Sequence, residues 1–170
     1  MELALLPNFA ALPGFEEAAP TFAENAAGKA LHYSRYSQEI VIADDSGLAV
    51  AALGGAPGPE SARYAGPGAS DADRVKKLLG ELRERNVANR RARFVCILAA
   101  ARQRRMLAIV SDCADGVLLD APRGQGGFGY DPIFLFEPLG KTFAELSREE
   151  KNQQSHRGRA FRKLLEFLQT

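Results

Sequence analysis

Two cysteines, Cys96 and Cys113, carry all the thiol chemistry of this chain of 170 residues, and no CxxC spacing joins them. That argues against a zinc site or a redox pair, and a reducing cytoplasm is the simplest compartment for such a chain. Long hydrophobic runs are missing as well, since nothing approaches the ~20 apolar residues that span a bilayer. The opening MELALLPNFAALPGF has an acid where a secretory signal carries basic residues, and Pro7 and Pro13 interrupt its apolar stretch. Neither sign of charge is in excess. A formal net charge of +1 supplies no global field for nucleic acid or a membrane surface, so any anion site is local. GxxxxGK[ST], GxGxxG after a strand and GxSxG are all absent, which argues against the common nucleotide triphosphatase, dehydrogenase and hydrolase plans.

What is present alternates between helical and extended patterns. TFAENAAGKALHYSRYS opens with Thr21 and has Glu24 three residues later, a capping box leading into a helix that Gly28 weakens by about 1 kcal/mol relative to alanine. EIVIADD predicts a buried strand ending at Ser46-Gly47. The Gly/Pro-rich LGGAPGPESARYAGPGAS is too long for a tight turn and predicts a site-forming loop. Ser70 caps DADRVKKLLGELRER, whose Val75, Leu78, Leu79 and Leu82 fall at helical spacing. ARFVCILAAAR and RMLAIVSDCADGVLLDAP follow as strands, antiparallel because their link is too short for a crossover helix. Ser147 and Glu150 make a second capping box, and Phe161, Leu164, Leu165 and Leu168 form one apolar stripe on the last helix. Together these predict a single α/β domain over 1–170, with one central mixed β-sheet and flanking helices.

The adjacent Asp44 and Asp45 raise the first chemical question, because neighbouring carboxylates repel by roughly 1 to 4 kcal/mol at close range. A positive partner is expected beside them. At a strand end one carboxylate can reach a metal while its neighbour orients water or anchors the loop; equally, Asp45-Ser46-Gly47 can be a plain turn. Glu24 is fully explained as a capping residue, yet Glu16, Glu17 and Glu24 could join the aspartates in an oxygen-ligand set for Mg²⁺. Lys29 lies five residues beyond Glu24, and its role depends on context. In GQGGFGYDP the glycines allow close backbone approach to a ligand, while Phe128 and Tyr130 offer flat faces for a base; a hairpin-like turn with two core aromatics is the alternative. His156 and Arg157 in SHRGR read, by themselves, as surface charge. Carboxylates, a lysine, aromatics and a Gly-rich loop together suit a Mg²⁺-bound nucleotide phosphate.

TFAENAAGKA, ADDSGLAVAALGGAPG, SARYAG, GGFGYDPIF, GKTFAELSREEKN and SHRGRA occur in a fixed order from about Leu12 to the C-terminus, and on them the chain resembles the inosine triphosphate pyrophosphatase family. The resemblance implies Mg²⁺-dependent cleavage of ITP, dITP or XTP to the monophosphate and pyrophosphate, by a homodimer whose fold is an elongated mixed β-sheet with flanking helices and two lobes around a central cleft. It further implies that Asp45 is the proton acceptor and a metal-linked carboxylate with Asp44 beside it, that Glu17 and nearby Glu24 serve the metal, and that Lys29 meets phosphate. Ser46 is implied to touch substrate, and Phe128, Gly129, Tyr130 and Asp131, with Lys151, His156 and Arg157, to line the base and sugar pocket. Donors of the Ser155-His156-Arg157 segment would be left unpaired by adenine, which presents an amino group where hypoxanthine and xanthine present a keto group. The family's first strand and its T-G-N-x-x-K loop have no counterpart upstream of LPNFAALPGFEE, so the chain is expected to be shortened and weakly active or inactive. Ala51, Gly28 and Gln125 are smaller departures from the family pattern. The competing readings are a catalytically impaired nucleotide-binding protein and a hydrolase for a modified pyrimidine nucleotide.

Overall fold

The computed structural model describes residues 3–169. Five strands, β1 (Val41–Val50), β2 (Arg91–Arg102), β3 (Arg105–Leu118), β4 (Phe134–Phe136) and β5 (Lys141–Thr142), form one sheet in the order β1-β2-β3-β4-β5. The α/β class, the single sheet and the flanking helices are as expected. All four pairings among these strands are antiparallel, so the mixed character has no parallel pair among the described residues. β1 also runs further than its apolar run suggested, continuing through Ser46-Gly47 to Val50. Gly47 makes that continuation possible, because a Cβ there would lie 2.5 Å from both Gly58 O and Ser61 Oγ.

Four helices, α1 (Phe22–Tyr33), α2 (Asp71–Glu84), α3 (Arg148–Gln154) and α4 (His156–Gln169), cover the sheet. Small side chains let two of them approach closely. Ala26 and Ala30 of α1 pack on Ala43, Ala99 and Ala101, while Ala160 and Leu164 of α4 pack on the other face against Cys96, Leu98 and Ala100. The larger core lies at the other end of the long strands, where all four apolar positions of α2 meet Leu48, Val50, Phe94, Phe134 and Phe143. Helix starts follow the sequence closely. Ser70 with Asp73 and Ser147 with Glu150 form complete capping boxes, and Thr21 Oγ1 accepts from the Glu24 backbone amide. Gly28 has a packing reason too, since a Cβ there would meet the Phe15 ring at 2.5 Å.

Candidate active site

The pleat of β1 separates the two adjacent aspartates. Successive strand side chains point to opposite faces, so Asp45 faces α1 and Asp44 faces α4. Each acid then has its own cation. Arg157 Nε donates to Asp44 Oδ2 at 2.7 Å, and Ser46 Oγ donates to Asp44 Oδ1 at 2.6 Å. The Cys96 thiol also points at Asp44 Oδ2, 3.6 Å away, and burial, reinforced by that charge, pushes its pKa up to about 12. Cys96 is therefore a buried thiol and not a nucleophile.

On the other face Lys29 reaches out from α1, pairs with Glu17 and donates to the Asp44 carbonyl at 2.8 Å. Asp45 is 6% exposed, and its Oδ2 has no partner among the described residues. Burial raises its pKa to about 6, against the pull of Lys29 and a hydrogen bond from Asn25, while Glu17 and Asp44 push in the same direction as burial. An acid poised there can exchange a proton near neutral pH. Asn25 is the residue that the sequence did not announce. Its Nδ2 donates to Ala19 O at 3.2 Å and its Oδ1 accepts from Ala19 N at 3.0 Å, which fixes the segment carrying Glu17. The available signal was its spacing of four from Lys29 on a face shared with Ala26 and Ala30.

The Gly-rich loop is fastened at both sides. Asp131, fully enclosed, pairs with Lys151 and accepts from the Phe128 amide at 2.8 Å; the Gly129 amide donates to Asp71 Oδ2 at 2.6 Å. Asp71 is held below the usual carboxylate range by Arg74 and by that amide. Phe128 stays 59% exposed at the rim, with Lys151 Nζ 4.5 Å and Arg157 Cζ 5.6 Å from its ring centroid. Tyr130 is instead a core residue whose hydroxyl donates to Ser61 O at 2.9 Å. His156 stacks on Phe94 at 4.8 Å, and burial, then Arg157, lowers its pKa to about 3, so the imidazole is neutral. Its Nδ1 is buried without a partner among the described residues.

Ser46, Ser61, Phe128, Asp131, His156 and Arg157 thus share the lining of one cavity of about 140 Å³. A second, of about 440 Å³, shares Phe128, His156 and Arg157 with the first and adds Lys151. Glu24 stands apart from this assembly. Exposed, it accepts from Thr21 Oγ1 at 2.6 Å, which is its capping role. Where the sequence and the resemblance led to one positive partner, a metal ion, the structure sets a protein cation on each face, Arg157 at Asp44 and Lys29 beside Asp45. Among the described residues no group of three or more His, Cys, Asp or Glu forms a cage for a metal. Asp45 with its orphaned oxygen and Glu17 nearby nevertheless fit Mg²⁺, which is commonly held by one or two carboxylates together with substrate phosphates.

Comparison with known proteins shows the family. The Ham1 family profile matches residues 1–167. A dITP/XTP pyrophosphatase of Geobacillus kaustophilus is 52% identical over 164 residues, covering 96% of this chain and 80% of the relative. One of Gloeobacter violaceus is 55% identical over 159 residues, covering 94% and 77%. The solved structure of a HAM1 protein from Coxiella burnetii superposes with a TM-score of 0.88 at 42% identity, covering 94% of this chain and 82% of that one. The Staphylococcus aureus Ham1 protein gives the same score and identity, covering 95% and 83%. The chain belongs to the Ham1 family.

Proposed function

We propose that this chain hydrolyses deaminated purine nucleoside triphosphates, dITP, ITP and XTP, to the monophosphate and pyrophosphate. The relatives' activity supports the reaction, and one observation within the chain carries the reading. The buried Asp45 carboxylate, with an oxygen free and Lys29 and Glu17 beside it, lies on the same strand as Asp44, whose partner Arg157 borders the aromatic Phe128. Phosphate and base thus have adjacent places. In the reaction, the oxygen of water bonds to phosphorus, the anhydride bond breaks and pyrophosphate leaves. Asp45, ionised above about pH 6, takes the proton from the attacking water. Lys29 offsets phosphate charge, and Phe128 stacks on the purine with Lys151 and Arg157 at its edges. Mg²⁺, when bound through Asp45 and Glu17, would neutralise further phosphate charge.

Base choice follows from buried donors. In the tautomer that carries its proton on Nδ1, the neutral His156 together with Arg157 favours a 6-keto acceptor, and an amino group in its place would cost roughly 1 to 3 kcal/mol per unpaired group. Homodimer formation is part of the same proposal, tested by light scattering of the purified chain. Among the described residues, no helix is long and apolar enough to cross a membrane.

Pyrophosphate release from ITP, with ATP as control and Mg²⁺ present, tests the reading. ITP-selective, metal-dependent release supports it. A folded chain that binds ITP without turnover would instead be the nucleotide-binding protein, and equal turnover of ATP and ITP would remove the account of base choice.

A further inference from the structure

Phe128 sits at the mouth of the cleft with most of its ring in solvent, so its own packing does not fix it. The backbone on either side does. The Phe128 amide is taken by Asp131, and the next residue, Gly129, turns at φ 60°, a left-handed conformation that suits glycine. The Gly129 amide donates at 2.6 Å to Asp71, which lies 58 residues away in the first turn of α2. The other oxygen of Asp71 pairs with Arg74, whose Nη1 donates to Ala62 O at 2.6 Å and to Ala69 O at 3.1 Å. Tyr130 adds the bond to Ser61 O. Asp71 therefore joins the Gly-rich loop, the start of α2 and the 61–69 segment, and parts of all three line the 140 Å³ cavity.

An acid in the first turn of a helix has an ordinary explanation, favourable interaction with the helix dipole. Here the helix start is already satisfied by the reciprocal Ser70–Asp73 bonds. Both oxygens of Asp71 are committed elsewhere, and the one that leaves the helix ends on the amide next to Phe128. A carboxylate accepting a backbone N–H makes a stronger bond than a neutral acceptor does.

We propose that Asp71 is a positioning residue for the nucleobase. By holding the Gly129 amide it fixes the Phe128 ring at the cleft mouth, and so sets affinity for the purine without taking part in proton transfer or bond cleavage. This rests on the reading that Phe128 stacks on the base. The effect belongs in KM and not in kcat, because Asp71 acts on the loop that carries the Phe128 ring, whereas the phosphate end is built by Asp45 on β1 and Lys29 on α1.

The test compares Asp71→Ala and Asp71→Asn with the full wild-type chain. Asp71 is partly exposed and its helix keeps the Ser70–Asp73 capping box, so both variants retain α2. Amide exchange across residues 126–131, measured without substrate, is expected to accelerate roughly tenfold in Asp71→Ala. KM for ITP is expected to rise roughly tenfold with kcat within about twofold of wild type. Asn keeps an acceptor for the Gly129 amide and is expected to recover most of both effects. In a Phe128→Ala background, Asp71→Ala is expected to add less than about twofold to KM, since both changes act on one ring. Unchanged exchange at 126–131, or a fall in kcat at unchanged KM, overturns the proposal. A wild-type chain that does not turn over ITP overturns the pyrophosphatase reading instead, and the two failures are distinguished because the exchange comparison needs no substrate.

Discussion

Replacing Asp45 by asparagine is expected to make the metal-free protein more stable at pH 8 while abolishing its turnover. The folded chain holds this carboxyl at about 6 in place of its ordinary 3.8, chiefly through burial. A carboxyl whose pKa is raised on folding contributes stability only while it is protonated, below the unfolded value, and that contribution is lost as pH rises through the folded value. At 1.36 kcal/mol per pH unit, the interval from 3.8 to about 6 corresponds to about 3 kcal/mol of cost once the group is ionised. Asparagine, neutral at every pH and nearly isosteric, removes that cost. For a domain of this size each kcal/mol moves Tm by about 2 to 4 °C, so the variant is expected to melt about 6 to 12 °C higher at pH 8. The gain should shrink through pH 6 and vanish below about 3.8. His156 runs the other way. Its folded pKa is lowered from 6.5 to about 3, so stability is lost as pH falls through that window. Between about pH 6 and 3.8 the two trends offset in the wild type, and Asp45→Asn exposes the His156 slope alone. Circular dichroism melts in EDTA from pH 4 to 8 measure both. A variant no more stable than wild type at pH 8, or a gain that does not change with pH, would refute the reasoning.

Lys29→Met removes the attraction that most opposes burial of the Asp45 charge, and it leaves Glu17 and the Asp44 carbonyl without their donor. The acid limb of the pH–rate profile is expected to move above pH 6, and turnover of ITP at pH 8 to fall by about tenfold or more, both read from one set of initial rates. Gly158→Ala improves helix propensity by about 1 kcal/mol but places a Cβ 1.8 Å from Asn152 O, a backbone atom that cannot move without shifting α3. The clash is expected to win, at about 3 kcal/mol and a Tm lower by about 6 °C or more, and an unchanged melting curve would show that α3 yields freely.

Much of the fold was legible because local signals and packing agree. The apolar positions of α2 all reach the core, and three serine or threonine caps start their helices where the spacing placed them. The end of β1 was misjudged for a physical reason. Ser46-Gly47 is turn chemistry, but Gly47 stays extended because only hydrogen fits beneath Gly58 and Ser61. The candidate residues with a local cue, such as Asp44, Asp45 and Phe128, were named from the sequence, whereas Asn25 and Asp71 were not. Each carries a polar atom across a long sequence separation or into a buried face, and nothing in the neighbouring residues encodes the distant amide or carboxylate that it meets.

The adjacency of Asp44 and Asp45, costly if both faced one side, would, on the proposed reading, let a single strand serve both halves of a nucleotide. The pleat sends Asp44 towards Arg157 and the aromatic rim, where a base is expected, and Asp45 towards Lys29 and Glu17, where phosphate is expected. The repulsion is relieved by separation across the sheet and by two cations on different helices. Register therefore controls chemistry. A slip of one residue between β1 and β2, which now pair Asp45 with Ile97, would exchange the two faces, presenting Asp44 to Lys29 and Asp45 to Arg157. Ala43 beneath α1 and the buried Leu48 and Val50 on the opposite face resist that slip, since it would exchange the core residues of two covered faces. The same pattern of side chains that builds the core thus fixes which carboxylate lies beside Lys29 and Glu17 and which beside Arg157.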